Sequence, residues 1–425
     1  MYKRRLISIY MAFAVLLTGC GGAGGGMRDP GELPDMLYAV PSDALAVCCV
    51  SESEAALGRL DSTDRLRSLD LKAFRTSPAV LSMSYSGSLV PSLAIGTGQE
   101  DSSMVVTAAL RDARRKGIYA AYFAPDRSVG RQGFLTFTTS ESQMTALKRH
   151  IGRGSSVLDA PGFPDAAALT EGENFTILRN SGAQRLIPKG FLGGAFPLRM
   201  LAAFLHKAAD WTVLSPEGGD AYRVSTVQGE SDLYFVNALA SLPFAKSRLG
   251  EVLPDSVELA LALPLPLPQP QFREAYEQYV DASVKMTAYR RRLSALESAS
   301  GKDPLKWEKE TDPAEVALVR WDGKAAVLLR PRKAPRTIEV GDNPYRGFVP
   351  VLYGEAFALP DDSCRGTVCG WYAIGSREAV EELTGRSELR KDSGWPGRGS
   401  HFVLYHAGRF FAWGKKGMKL WNSSL

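Results

Sequence analysis

The chain has few of the side chains that usually build reactive centres. Its 425 residues include four histidines, His150, His206, His401 and His406, and five cysteines. No Cys-x-x-Cys pair and no His-Glu-x-x-His occurs, which removes the common spacings of structural and catalytic zinc. A Gly-x-Ser-x-Gly elbow, the local signature of many serine hydrolases, is missing. Gly96-Thr97-Gly98 lacks the third glycine of a dinucleotide-binding turn, and Ser300-Gly301-Lys302 lacks the earlier glycine of a phosphate loop. Asp361 and Asp362 offer too few oxygens for calcium and read as a turn. No metal and no cofactor is therefore expected. Excess charge of one sign is also lacking. The net charge is +5, and Lys3, Arg4 and Arg5 supply three of it, leaving +2 for the rest of the chain. That is not the basic footprint of a nucleic-acid binder, and no nucleic-acid partner is expected. After Leu17 no apolar run reaches the ~20 residues that span a bilayer. Val257 to Leu267 comes closest, but it contains Glu258 and runs into prolines.

The amino terminus is richer in information. Lys3, Arg4 and Arg5 precede an apolar run from Leu6 to Leu17, which ends in Leu17-Thr18-Gly19-Cys20. This order of basic start, short apolar stretch and small residues marks an export signal, read here as residues 1–19. The final tetrapeptide resembles the lipobox of bacterial lipoproteins. That resemblance implies acylation of Cys20 as the first residue of the mature chain. Residues 20–32 follow as a tether, with five glycines between Gly21 and Met27. Gly21, rather than Asp, at the second mature position implies by the same resemblance an outer-membrane location, on the periplasmic side or at the cell surface. Two or three acyl chains suffice for stable anchoring, at about 0.8 kcal/mol per buried methylene.

The body shows a recurring opening. Pro41-Ser42-Asp43, Pro125-Asp126-Arg127, Pro254-Asp255-Ser256 and Pro360-Asp361-Asp362 each lead into an apolar stretch and then a helical one. Three of the helices start at a serine. Ser51 with Glu54, and Ser140 with Gln143, have the spacing of a capping box, and Ser376 is placed to cap with Glu378 in the first turn. These patterns predict an α+β fold of repeated strand–capped-helix units with antiparallel or mixed sheets; pairing the openings at Pro41 and Pro125 with those at Pro254 and Pro360 would give two similar halves. An N-terminal domain is expected over 33–250 and a C-terminal domain over 251–425. The latter carries a long helix at 271–298, with Phe272, Tyr276, Tyr279, Val280, Met286 and Leu293 along one side. Asp322-Gly323 between apolar runs predicts a hairpin, and the chain closes in a β-meander.

Four cysteines remain beyond Cys20. Cys48 and Cys49 sit in a predicted strand on opposite faces and read as small buried hydrophobes. Cys364 and Cys369 are candidates for a disulfide across a turn read near Gly366; spacing alone leaves bonded and free states open. Six of the seven tryptophans, all but Trp211, lie in the last third. Core packing is the ordinary use of Trp, and sugar stacking or protein docking the alternative. Trp395, in Ser393-Gly394-Trp395-Pro396-Gly397, is the candidate contact residue.

The lipobox, the Gly-rich tether and the strand opening at Pro41 together resemble a broad group of bacterial envelope lipoproteins whose members carry no agreed activity. The expectation is a non-catalytic lipoprotein, bound to membrane lipid through Cys20 and acting as a binding or scaffolding module toward an envelope protein or glycan. One alternative is glycan capture by the Trp-rich half. Another is a hydrolase whose site is assembled from distant positions and so leaves no local motif.

Overall fold

The computed structural model describes residues 34–60, 64–97, 103–125, 132–182, 209–218, 221–227, 239–266, 270–385, 394–396, 399–406, 408–414 and 417–422. Residues 1–33, on which the expected export signal, Cys20 and the expected tether fall, lie outside the described residues. The chain divides into two compact units, 1–229 and 230–425.

The first unit is an antiparallel sheet of β1 (Ala46–Val50), β2 (Ala79–Tyr85), β3 (Leu89–Gly96), β4 (Tyr119–Phe123), β5 (Phe134–Thr138), β6 (Phe175–Arg179), β7 (Trp211–Gly218) and β8 (Ala221–Val227). Its order is β4-β5-β3-β2-β1-β6-β7-β8. Alternation along each strand sorts the side chains. One row runs Thr136, Ala94, Val80, Cys49, Phe175 across five strands. The last four join Met36, Leu37, Phe163 and Trp211 in a core on that face. Cys48 points to the other face. Helices α1 (Ser53–Gly58), α2 (Ser103–Arg115), α3 (Glu141–Gly152) and α4 (Phe163–Ala168) belong to the same unit.

The second unit contains β9 (Val257–Pro264), β10 (Pro313–Trp321), β11 (Lys324–Pro331), β12 (Gly341–Asp342), β13 (Cys364–Val368), β14 (Trp371–Gly375), β15 (Ser400–His406), β16 (Arg409–Gly414) and β17 (Gly417–Asn422). These pair antiparallel in the order β12-β13-β14-β11-β10-β9-β15-β16-β17. Helices α5 (Pro270–Ala282), α6 (Met286–Ser300) and α7 (Pro304–Thr311) lie between β9 and β10. Helix α8 (Phe348–Tyr353) precedes β13, and α9 (Arg377–Thr384) follows β14. Set beside the first unit, β9 takes the place of β1 and β13 that of β4.

The expected fold of repeated strand–capped-helix units is corrected by this pairing. The chain is sheet-rich, every pairing given above is antiparallel, and hairpins such as β2–β3, β10–β11 and β13–β14 join strands with no helix between them. The apolar stretch after Pro360-Asp361-Asp362 is two strands of a hairpin: Cys369 and Gly370 adopt φ of 47° and 84°, the signature of a two-residue turn with both central residues left-handed. Helices cover the sheets rather than defining a repeat. The caps divide similarly. Ser140 accepts from the Gln143 amide at 3.3 Å, and Ser376 from the Ala379 amide at 3.3 Å. Ser51 does not cap α1; its amide donates instead to Asn174 Oδ1 at 2.9 Å. A complete capping box forms at Ser156 and Asp159.

The long helix expected at 271–298 is broken. Val284 adopts φ of 55°, the Val284 amide donates to the Asp281 carbonyl at 2.8 Å, and the Lys285 amide donates to the Val280 carbonyl at 3.0 Å. This pair of bonds is the Schellman termination, so α5 ends and α6 starts afresh. The Asp322-Gly323 turn forms as expected, with φ of 43° and 74° and Trp321 opposite Lys324.

Candidate functional site

Two charged constellations among the described residues of the second unit are buried. The first is built on the β10–β11 hairpin. The two-residue Asp322-Gly323 turn fixes the register, and that register sets Glu315 opposite Arg330. The Glu315 side chain is wholly buried. It accepts from the Ser247 hydroxyl, from the Arg248 amide at 2.8 Å and from Arg330 Nε at 3.4 Å. Burial raises its carboxyl above the ordinary range, against the lowering by these three donors. Arg330 in turn lies over the Trp371 ring at 5.7 Å.

Trp395 belongs to this cluster. Its indole N–H donates to Ser247 Oγ at 2.8 Å, and its ring meets Phe410 edge-on at 5.5 Å. The ring is half-buried against the core of Trp321, Trp371 and Phe410. The candidate contact residue is thus drawn inward by a hydrogen bond that the local loop composition did not reveal. The other late tryptophans follow. Trp307, Trp321 and Trp371 are buried, and Trp413 and Trp421 are half-buried. Trp321 Nε1 donates to Glu382 at 2.7 Å, and Trp421 stacks on Phe410 at 5.2 Å.

The second constellation ties four helices through one guanidinium. Arg273 on α5 meets Glu308 on α7 through two bonds, Nε to Oε2 at 3.0 Å and Nη2 to Oε1 at 2.5 Å. Its Nη1 donates to the Tyr289 hydroxyl on α6 at 3.1 Å, and Nη2 to the Leu352 carbonyl on α8 at 2.8 Å. Tyr276 and Tyr353 rings lie 5.3 and 5.7 Å from the guanidinium carbon. Burial works to lower the Arg273 pKa, but Glu308 more than offsets it, and the net direction is up. Burial pushes the Tyr276 hydroxyl up to about 12, so that ring stays neutral beside the cation.

Comparison with protein-family models, with curated proteins and with solved structures finds no match to this chain. Chemistry must therefore be read from the groups themselves. His401 stacks between Phe244 at 4.1 Å and Trp413 at 4.4 Å, and burial lowers its pKa to about 4. Ser247 donates to Glu315 directly, with no histidine between them. Among the described residues, no group of three His, Cys, Asp or Glu is placed to hold a metal ion.

Cys364 and Cys369 are not brought together. Cys364 opens β13 opposite Gly375, whereas Cys369 stands in the turn at its far end, and both are free thiols. Five residues of extended chain separate them by roughly 16 Å, against the ~7 Å limit for bridging. The turn read near Gly366 lies three residues further on, which is the reason for the difference. In the first unit, Cys48 faces Arg59, whose Nη1 donates to Sγ, and burial pushes the thiol pKa up.

Glu315, Arg273 and Glu308 were not singled out from sequence. For Glu315 a signal existed: the Asp-Gly turn, once placed, dictates its partner. For Arg273 none did, because its hydrogen-bond partners converge from three other helices.

Proposed function

We propose that this chain is a non-catalytic lipoprotein of the bacterial envelope, held to the outer membrane by acylated Cys20 and acting as a binding or scaffolding module. One observation carries the reading: Lys3-Arg4-Arg5, the apolar run to Leu17 and Leu17-Thr18-Gly19-Cys20 occur in the order and spacing of a lipoprotein export signal. The Gly-rich stretch after Cys20 supports it, as a tether that frees a folded body from a bilayer surface. Support from the body is of a different kind. Its buried charges are satisfied internally and tie elements together, which is what a rigid presenting scaffold requires. The late tryptophans mainly pack inward, so they lend little to glycan capture.

The test is a Cys20→Ser chain followed by membrane fractionation and labelling with a fatty-acid analogue. The intact chain is expected in the outer-membrane fraction with label, and the variant without label and out of that fraction. An unchanged distribution of the variant would remove the premise. Capture of the intact lipoprotein from solubilised membranes then separates a protein partner from retention on polysaccharide.

A further inference from the structure

Among the described residues, the sheet of the first unit ends on a strand that lacks the usual protection. β4 pairs only with β5 among the described residues. Alternate residues of an antiparallel strand turn their N–H and C=O groups away from the neighbour they pair with, so an edge offers a row of donors and acceptors. Natural sheets blunt such edges with charge, proline, a bulge or a covering segment. Tyr119-Ala120-Ala121-Tyr122-Phe123 has no charge, no proline and an unbroken register against Thr138 to Phe134. Its two tyrosines are large and open, 40% and 39% exposed.

The second unit shows what this position holds when filled. Along the outer side of β13, Gly341 and Asp342 pair with Arg365 and Cys364. The Thr367 amide donates to the Ile338 carbonyl at 3.2 Å, and the Asn343 amide to the Ser363 carbonyl at 2.7 Å. An extended segment, 338–343, thus occupies the edge that corresponds to the side of β4 with no partner strand among the described residues.

We propose that β4 pairs with β4 of a second copy of this chain, antiparallel and about a two-fold axis through Ala121. The sequence is self-complementary in that register. Tyr119 lies opposite the partner's Phe123, Ala120 opposite the partner's Tyr122, and Ala121 opposite the partner's Ala121. Two aromatic–aromatic pairs form, Tyr119 with the partner's Phe123 and its symmetry mate, a favoured combination in sheets, and the two small alanines let the backbones approach at the axis. A symmetric interface of this kind closes on itself and forms a dimer rather than a fibre. The inference stands on the sheet edge alone and does not depend on the anchor.

The experiment uses the full-length chain carrying Ala121→Cys, oxidised mildly and run without reductant. At the axis of an antiparallel pair the two Cα atoms lie about 4.5–5.5 Å apart, within disulfide reach. A cross-linked dimer is expected, absent from the parent chain and from Met104→Cys, a 79% exposed control on α2. Adding Tyr122→Lys should cut the cross-linked fraction about tenfold, equivalent to roughly 1.4 kcal/mol. Light scattering on the unmodified chain should give twice the monomer mass. Cross-linking no greater than that of Met104→Cys, or a monomer mass with no effect of Tyr122→Lys, would overturn the proposal.

Discussion

The two units share a strand order and differ in what they attach to it. Between β1 and β2 the first unit inserts one short helix and single turns. Between β9 and β10 the second inserts α5, α6 and α7, with Arg273 at their centre. At the corresponding edges, β4 is paired on one side only among the described residues, where β13 is covered by 338–343. The comparison separates what a sheet order requires from what is added to it. The order needs only hairpins and an apolar row. A helical insert of this size needs its own tie, and here that tie is a buried ion pair.

The largest expected effect tests that tie. Glu308→Ala leaves a buried guanidinium without its carboxylate and should cost the second unit about 3–5 kcal/mol, read by chemical denaturation. Replacing both partners with apolar residues of similar volume, Arg273→Met with Glu308→Leu, should recover most of the loss. A double variant as unstable as the single one would mean that the aromatic surroundings, not the uncompensated charge, set the cost.

The next effect concerns the hairpin pair. Glu315→Ala strips acceptors from Ser247, the Arg248 amide and Arg330, and should cost about 1–3 kcal/mol. Its pH dependence has a definite sign. The folded carboxyl is raised by burial, so the native state holds its proton more tightly than the unfolded chain. Glu315 therefore disfavours folding as pH rises from about 4.5 toward its folded pKa, and Glu315→Gln should flatten that part of the stability profile. His401 acts on a neighbouring window with the opposite slope. Its folded pKa is lowered to about 4, so the stability tied to its neutral ring is present above 6.5 and lost as pH falls toward 4. His401→Phe should remove that loss, about 1–3 kcal/mol, in an acid titration followed by fluorescence.

How much of this was legible beforehand depends on the range of the interaction. The Asp322-Gly323 turn was readable, and with it the apolar runs it joins, which are buried from Val316 to Val319 and from Ala326 to Leu329. Cys48 and Cys49 do lie in one strand with side chains on opposite faces. The Cys369-Gly370 turn was missed because a cysteine rarely takes a left-handed position, so the local pattern pointed to Gly366 instead. The inward turn of Trp395 depends on Ser247, 148 residues away, and nothing near Trp395 encodes it. Short-range geometry could be read; convergence of distant side chains could not.

The smallest effect compares one motif placed in both units. Helix α2 ends with Gly117 at φ of 66°, the Gly117 amide donating to Arg114 and the Ile118 amide to Ala113. Helix α5 ends through the same two bonds, but with Val284 at the left-handed position and 93% exposed. A β-branched residue there is strained by roughly 1–2 kcal/mol, part of which a glycine would give back as greater freedom of the unfolded chain. Val284→Gly should therefore stabilise the second unit by about 0.5–1 kcal/mol, while Gly117→Val should destabilise the first by about 1–2 kcal/mol. A cavity explanation does not enter, because a Cβ on Gly117 would meet only Arg65 Nη1 at an ordinary 3.4 Å. If Val284→Gly instead lowered stability, the side chain would have to be held by something beyond its own helix, and its exposure in the isolated chain would then mark a contact rather than a strained cap.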